Sequence, residues 1–145
     1  MNFSRFNNPD IALLVLRISL GALFLVHGYD KLSNFNAIVG SLTASGFALP
    51  QTILILITAA ELLGGGAVLL GLFTEIGATL IALDMLAVFF LVQLPQGIAF
   101  TSVGFGFAAF AFGMSVSLFF SGAGKWALGH HLKNNPISVG ALYKK

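Results

Sequence analysis

Three charged residues, Arg17, Glu61 and Asp84, fall inside long apolar runs of this sequence. A charged side chain within a membrane-spanning helix costs about 2.5–3.5 kcal/mol on insertion scales, so an isolated placement is unfavourable. A guanidinium can bridge two carboxylates, and two acids beside one Arg leave a negative charge that a proton or a cation would neutralise. We therefore predict that the three residues form an intramembrane polar network. Such a network either fixes helix register or forms a site that accepts a proton or orients a ligand.

A second polar group, His27, Asp30 and Lys31, closes the first apolar run. His27 and Lys31 are four residues apart and share a helix face, while Asp30 can offset the charge of Lys31. This group is predicted either to contact a quinone or a lipid headgroup, or to be simply the polar end of a helix. The adjacent His130 and His131 point to different helix faces and have no evident third ligand, so no metal site is predicted.

The composition indicates what surrounds these residues. Of 145 residues, 57% are hydrophobic and 8% are charged, with a mean hydropathy of +0.95, whereas soluble domains run about 45–50% apolar and about 25% charged. An ordinary soluble domain is thereby excluded. The seven Lys and Arg residues form no run, so nucleic-acid binding has no support. Because the chain has no cysteine, it can hold no iron–sulfur cluster through its own thiolates.

Four apolar runs reach the roughly 20 residues that a membrane-crossing helix requires. They are Ile11–Tyr29, Pro50–Phe73, Ile76–Leu94 and Thr101–Ser121. Backbone groups in hydrocarbon must pair internally, so we predict an all-α, integral membrane four-helix bundle that forms a single domain over residues 1–145. Basic residues concentrate near both termini, which predicts that the N and C termini are cytoplasmic. The segments Leu32–Leu49 and 122–145 are predicted to lie along the membrane interface.

Small residues at helical spacing indicate where these helices pack closely, because association in lipid depends on close van der Waals approach. The first and second spans carry Gly21, Gly28, Gly64 and Gly65 on the faces of their charged residues. The fourth span has a stripe at spacings of three and four: Ser102, Gly106, Ala109, Gly113, Ser117 and Ser121. We predict that this stripe is buried. Phe105, Phe112 and Phe119 would then face lipid or a partner subunit, or else line an aromatic pocket for a quinone or a pigment.

A series of landmarks along the chain resembles the DoxX-like family of small four-helix integral membrane proteins. They are Arg17–Gly21–Phe24–His27–Gly28–Lys31–Leu32, Gly46–Phe47 before Pro50, Ala59–Ala60–Glu61 with Gly64–Gly65, Leu70–Gly71–Leu72 before Thr74, Met85 with Ala87, and Gly122–Ala123–Gly124–Lys125–Trp126. The resemblance covers about residues 10–129. It implies a multi-pass protein of the bacterial or archaeal cytoplasmic (inner) membrane. Some members of this family are associated with quinone-linked oxidation of thiosulfate or with membrane oxidoreductase assemblies.

The sequence contains no soluble-enzyme motif, so it predicts no enzyme on its own. The favoured interpretation is an accessory subunit of a larger quinone-linked redox or respiratory complex in electron transport. Its partners would be membrane lipid and other membrane subunits, and it would have no intrinsic cofactor, with quinone as the candidate ligand. One alternative is a thiosulfate:quinone oxidoreductase-like subunit with its own quinone site, in which the charged trio handles protons and His27 contacts a quinone oxygen. A small transporter is a third hypothesis, disfavoured because few polar residues supply little pathway.

Overall fold

The computed structural model describes residues 8–94 and 103–134, and this part of the chain is built from helices joined by short connections. The elements are α1 (Pro9–Ser33), α2 (Phe35–Ala44), α3 (Pro50–Leu70), α4 (Thr74–Val88) continued by a π-helical turn (Phe89–Gln93), α5 (Val103–Ser121) and α6 (Leu128–Asn134). Four of them, α1, α3, α5 and α4 with its π-helical turn, are long and apolar enough to cross a membrane. The predicted all-α, four-helix membrane architecture is thus confirmed. The cytoplasmic location of the termini stays a prediction.

Local residue chemistry explains where the helices begin and end. Helix α1 begins two residues before the predicted span because the Asn8 side chain caps it, accepting from the amides of Asp10 and Ile11. Helix α3 ends before Phe73, the predicted limit, because Gly71 adopts a left-handed conformation with φ of 71°. The segment predicted to lie at the interface forms α2, none of whose residues is buried. Residues 101 and 102 of the fourth predicted span lie outside the described residues.

Helix α1 packs on α3 through glycines that bring the two backbones into contact. A Cβ atom added to Gly21 would lie 2.7 Å from the carbonyl oxygen of Gly65 and 2.7 Å from the amide nitrogen of Leu69. A Cβ on Gly65 would in turn lie 3.0 Å from the carbonyl oxygen of Gly21. No side chain fits at either position without moving a backbone, so these two glycines set the distance between the helices.

Further glycines fix the remaining contacts of α3. A Cβ atom on Gly28 would lie 2.7 Å from Cγ of Leu62, near the far end of α1. On the opposite side of α3, a Cβ on Gly64 would lie 3.0 Å from the carbonyl oxygen of Gly77 in α4. Helix α3 is therefore held between α1 and α4. The buried apolar side chains around this contact are Leu20, Phe24, Val68, Ala78, Ile81, Met85, Ala108, Ala111 and Leu118.

The buried face of α5 is not the predicted one. Ala108, Ala111, Ser115 and Leu118 face the bundle. Gly106 and Gly113 instead have open space where a side chain would be, and Ala109, Ser117 and Ser121 are exposed. The small residues Ala108, Ala111 and Ser115 on the buried face also recur at spacings of three and four, so spacing alone cannot distinguish the two faces. Alanine and serine are small enough to allow α4 to pack closely on α5. The stripe that contains the glycines therefore faces away from the bundle.

The absence of cysteine from the sequence makes the orientation of the chain directly testable with single-cysteine variants. Asn36 on α2 and His131 on α6 are both exposed and lie at opposite ends of the bundle, because α6 follows a segment bonded to the start of α1. We expect Asn36→Cys in intact cells to react with a membrane-impermeant maleimide, and His131→Cys to react only after the membrane is opened. The opposite pattern would place the termini outside. The unaltered chain is the unlabelled control.

Candidate functional site

Lys31 of α1 and Glu61 of α3 form a buried ion pair at the centre of the candidate site. The Lys31 ammonium donates to both carboxylate oxygens of Glu61, at 2.6 and 2.7 Å. The Glu61 side chain is only 3% exposed, against 23% for Lys31. Gly28, one turn before Lys31, allows the close approach, since a Cβ atom there would lie 3.3 Å from that of Glu61. Pairing makes the burial of these charges tolerable in a medium of low dielectric constant.

Asp84 of α4 lies beside this pair and makes no hydrogen bond. The residue is 5% exposed, and neither carboxylate oxygen has a partner among the described residues. Its electrostatic neighbours are Glu61 and Lys31. Lys31, Glu61 and Asp84 thus comprise two acidic groups and one basic group. A proton, or a ligand that donates a hydrogen bond, would satisfy the remaining carboxyl group.

His27 and Asp30, the other polar residues predicted near this end of α1, lie in different surroundings. His27 is half-buried, with its ring centroid 4.9 Å from that of Phe107 in α5, and it interacts electrostatically with Glu61. Asp30 is exposed and accepts a 2.9 Å hydrogen bond from the side-chain amide of Asn34. It therefore does not offset the charge of Lys31, as the sequence suggested; Glu61 does. His27 borders the site and Asp30 does not belong to it.

Arg17 lies apart from the two carboxylates, contrary to the prediction that all three residues meet. It is 2% exposed, and its guanidinium donates from Nε to the carbonyl of Val68 at 3.0 Å, from Nη2 to that of Leu69 at 3.0 Å and from Nη1 to that of Ala123 at 2.9 Å. Two of these acceptors are carbonyls of the last turn of α3, where the carbonyls have no i+4 amide partner within the helix; that of Val68 also accepts from the cap amide of Gly71 at 3.2 Å. A cation there also complements the helix dipole. Arg17 thus fastens the segment after α5 to the end of α3.

The direction of side chains along a helix explains why Lys31, and not Arg17, reaches Glu61. Side chains tilt toward the N-terminus of their own helix. In α1 this turns Arg17 toward the end of the bundle where α3 finishes, whereas it turns Lys31 toward the middle. In the antiparallel α3 the same tilt turns Glu61 toward Lys31. The glycines of α1 and α3 predicted close contact of these helices, and the position of Lys31 one turn after Gly28 is the signal that could have identified it as the partner of Glu61.

An apolar groove opens between α4, with its π-helical turn, and α5. It has a volume of about 330 Å³ and is lined by Met85, Leu86, Phe89, Phe105, Ala108, Ala109 and Phe112. Met85 directly follows Asp84, so the groove adjoins the helix turn that carries the unpaired acid. Phe105 and Phe112 therefore line a groove, while Phe119 is 46% exposed. π-helical turns occur frequently at functional sites, and a groove of this volume can hold a small ligand.

The unequal bonding of the two acids leads to opposite expectations for their amide variants. Glu61→Gln weakens the two charge-assisted bonds to Lys31 and removes the carboxylate that is bonded to it, so we expect a loss of about 2 kcal/mol in the free energy of unfolding. Asp84→Asn removes no hydrogen bond and should change it by less than about 1 kcal/mol. Thermal unfolding of both variants in one detergent checks this. Equal losses would show that Asp84 is bonded as firmly as Glu61.

Comparison with known proteins shows where related sequences match this chain. A family model described as DoxX matches residues 12–94, the region that contains Lys31, Glu61 and Asp84. A protein of Bacillus subtilis (strain 168) named "Putative oxidoreductase CatD" is 37% identical over 86 residues, which are 59% of this chain and 62% of that protein. The match thus spans less than two thirds of the relative's length. No solved structure matches the chain significantly.

Proposed function

Because this chain belongs to the DoxX family of membrane proteins, we propose that it is an accessory membrane subunit of a quinone-linked redox complex that holds a proton at a buried acidic site. Its location would be the cytoplasmic membrane of a bacterium or archaeon. The observation that carries the proposal is the buried carboxyl group of Asp84, which has no hydrogen-bond partner among the described residues and lies near the Lys31–Glu61 pair. An ion pair that served packing alone would not require a second buried acid next to it.

The redox part of the proposal is supported by the name of the Bacillus subtilis relative, which describes that protein as a "Putative oxidoreductase". The accessory part is supported by composition. Without cysteine the chain offers no thiolate ligand and no thiol–disulfide relay. Electrons would therefore pass through a bound cofactor or a partner subunit, and this chain would contribute the membrane site.

Quinone is the ligand class that suits the groove and its neighbouring acid. The groove is apolar and partly aromatic, and its volume of about 330 Å³ suits a single flat ring system. A quinone, when bound, supplies two-electron, two-proton chemistry. The part of this chain is to hold the ring between Phe105 and Phe112 and to keep a proton at the Asp84 carboxyl. The Lys31 ammonium stabilises the negative charge that remains on Asp84 when this proton leaves. His27, whose ring contacts that of Phe107, lies at the margin of the site.

The test is to extract the tagged full-length chain from its native membranes in mild detergent, identify the proteins that migrate with it, and quantify bound quinone. We expect other membrane subunits and about one quinone per chain. Ala109→Trp, which fills the groove from its exposed side, should release the quinone without unfolding the bundle. Asp84→Asn should retain the quinone and slow its reduction in the complex, while Asp30→Asn, at an exposed acid, should change neither. A chain that migrates alone and free of quinone would refute the proposal.

A purely packing role within such a complex is the second candidate, and the outward stripe of α5 favours it. Gly106 and Gly113 leave open space on a face that a neighbouring helix could approach closely. Under this alternative Gly113→Leu would displace the partner subunits, and Ala109→Trp would affect quinone content only through their loss. Under the main proposal the groove holds quinone whether or not Gly113 is changed.

A further inference from the structure

A polar cavity of about 500 Å³ lies at the end of the bundle where α1 begins, away from the Asp84 site. Its walls come from the start of α1, the turn between α3 and α4, and the segment from α5 to α6. Polar side chains of the cavity lining include Asp10, Thr74, Glu75 and Lys125. We propose that this cavity binds the headgroup of a phospholipid that carries both a phosphate and a primary ammonium group. The proposal does not depend on the redox role.

The inner wall of the cavity offers partners for a phosphate. Thr74 is 1% exposed, and its hydroxyl has no hydrogen-bond partner among the described residues. It is the first residue of α4, whose N-terminus has no side-chain cap, because the preceding Phe73 supplies none. Unsatisfied amides of a helix N-terminus and a free hydroxyl are typical donors to a phosphate.

Positive charge lies behind and beside that wall. Gly71 lines the cavity, and a Cβ atom there would collide with Nη2 of Arg17, so the guanidinium lies directly behind the glycine. The donor groups of Arg17 are bonded to backbone carbonyls, which leaves its charge without a carboxylate partner in the described part of the chain. Lys125, whose side chain is 76% exposed, adds an ammonium group at the rim. Together they favour an anion in the cavity.

Carboxylates on the same rim offer partners for an ammonium group. Asp10 accepts from the amide of Lys125 at 3.1 Å and lies 3.4 Å from its Nζ. Glu75 is exposed, with Oε1 near the backbone of Gly122, 3.6 Å from where a Cβ atom would be. Donors and acceptors of opposite charge therefore face one cavity a few ångströms apart. A simple anion would be repelled by Asp10 and Glu75, whereas a zwitterion matches both signs.

The position of the cavity favours a lipid over a soluble zwitterion. It lies at the end of four helices that are apolar enough to span a membrane, where headgroups are found. Two exposed aromatic side chains offer apolar surface next to the cavity. Phe73, which precedes Thr74, is 76% exposed, and Trp126, which follows Lys125, is 60% exposed. Aromatic side chains of this kind are enriched at membrane–water interfaces. A headgroup in the cavity could thus keep its acyl chains along the bundle.

The test is native mass spectrometry of the full-length chain after exchange into nanodiscs that contain phosphatidylethanolamine, phosphatidylcholine and phosphatidylglycerol in equal amounts. We expect one phosphatidylethanolamine retained per chain, at least tenfold over either competitor. The choline headgroup has the phosphate but no N–H to donate to Glu75, and the glycerol headgroup has no cation. Thr74→Val and Glu75→Gln should each lower retention at least fivefold. The matched control is Thr79→Val, also on α4, whose hydroxyl donates to a backbone carbonyl.

Two further measurements keep the outcome decisive. The thermal midpoint followed by the fluorescence of Trp126 must agree among the variants, which separates loss of the lipid from loss of the fold. Soluble phosphoethanolamine is added to the delipidated chain as a second arm. Equal retention of all three lipids, retention unaffected by Thr74→Val, or tight binding of phosphoethanolamine without any lipid preference would each overturn the proposal.

Discussion

Gly21→Ala is expected to lower the free energy of unfolding by more than about 3 kcal/mol and to separate α1 from α3. The added methyl group would meet the carbonyl oxygen of Gly65 and the amide nitrogen of Leu69 at 2.7 Å. Overpacking ordinarily costs about 1–3 kcal/mol when side chains can adjust. Here the obstacle is backbone, so the helices themselves must move apart. Thermal unfolding in detergent measures the loss, and disulfide trapping between paired cysteines on α1 and α3 measures the separation.

The matched control for this prediction is Gly66→Ala. Gly66 is the immediate neighbour of Gly65, yet a Cβ atom on it would meet nothing within 4 Å. Because alanine is favoured over glycine within a helix by roughly 0.5–1 kcal/mol, this variant should be neutral or slightly more stable. If Gly21→Ala and Gly66→Ala behaved alike, the backbone contact between α1 and α3 would be refuted.

Arg17→Leu is expected to lower the free energy of unfolding by at least about 4 kcal/mol. The change removes the guanidinium that donates to the carbonyls of Val68, Leu69 and Ala123. The Arg17 side chain that would be replaced is buried. Each hydrogen bond to a charged group contributes about 1.5–3 kcal/mol, and a buried acceptor left without a donor adds its own penalty. Trp126 lies three residues after Ala123 and is the one tryptophan in the sequence, so its fluorescence reports on this region.

Two companion variants show whether the effect comes from the hydrogen bonds. Arg17→Lys keeps the charge but has a single ammonium in place of the planar guanidinium. Its free energy of unfolding should therefore exceed that of Arg17→Leu by about one third of the decrease that Arg17→Leu causes. Ile18→Ala shortens the neighbouring side chain, which is 48% exposed, and should change the stability by about 1 kcal/mol or less. A full recovery in Arg17→Lys would show that charge alone matters. An Ile18→Ala loss as large as that of Arg17→Leu would point to general disruption of α1.

The helices were predictable from the sequence because length and apolarity decide them. A backbone in hydrocarbon has few alternatives to a helix, so four long apolar runs are sufficient to predict four spanning helices. The glycines of α1 and α3 were informative for a related reason, since glycine inside a helix is unfavourable unless a neighbour needs the space. The same reasoning chose the wrong face of α5. That helix has two small stripes, and only the packing of α4 decides between Ala108 and Gly113.

The candidate site was harder to predict because it depends on side-chain direction. Arg17 lies at the level of Val68 and Leu69, at one end of α3, whereas Glu61 lies at the level of Gly28. The side chains of Arg17 and Glu61 also tilt away from each other in the antiparallel helices, whereas that of Lys31 tilts toward Glu61. The sequence analysis therefore placed Arg17 with the two acids, where the structure places Lys31. The unpaired hydroxyl of Thr74 was missed altogether, because an unsatisfied polar atom is a property of its surroundings and has no signature in the sequence.

The glycine contact between α1 and α3 also has an entropic consequence. Where Gly21 lies against Gly65, neither residue has rotamers to lose, whereas ordering a leucine costs about 0.5–1 kcal/mol. Helix association within lipid gains little from removing apolar surface from water, because the helices are already surrounded by apolar lipid. It depends instead on van der Waals attraction that exceeds the entropy cost of ordering side chains. The α1–α3 pair, which has the most extensive contact among the described helices, thus loses no side-chain conformational freedom at its point of closest approach, and the same holds where Gly64 of α3 lies against Gly77 of α4.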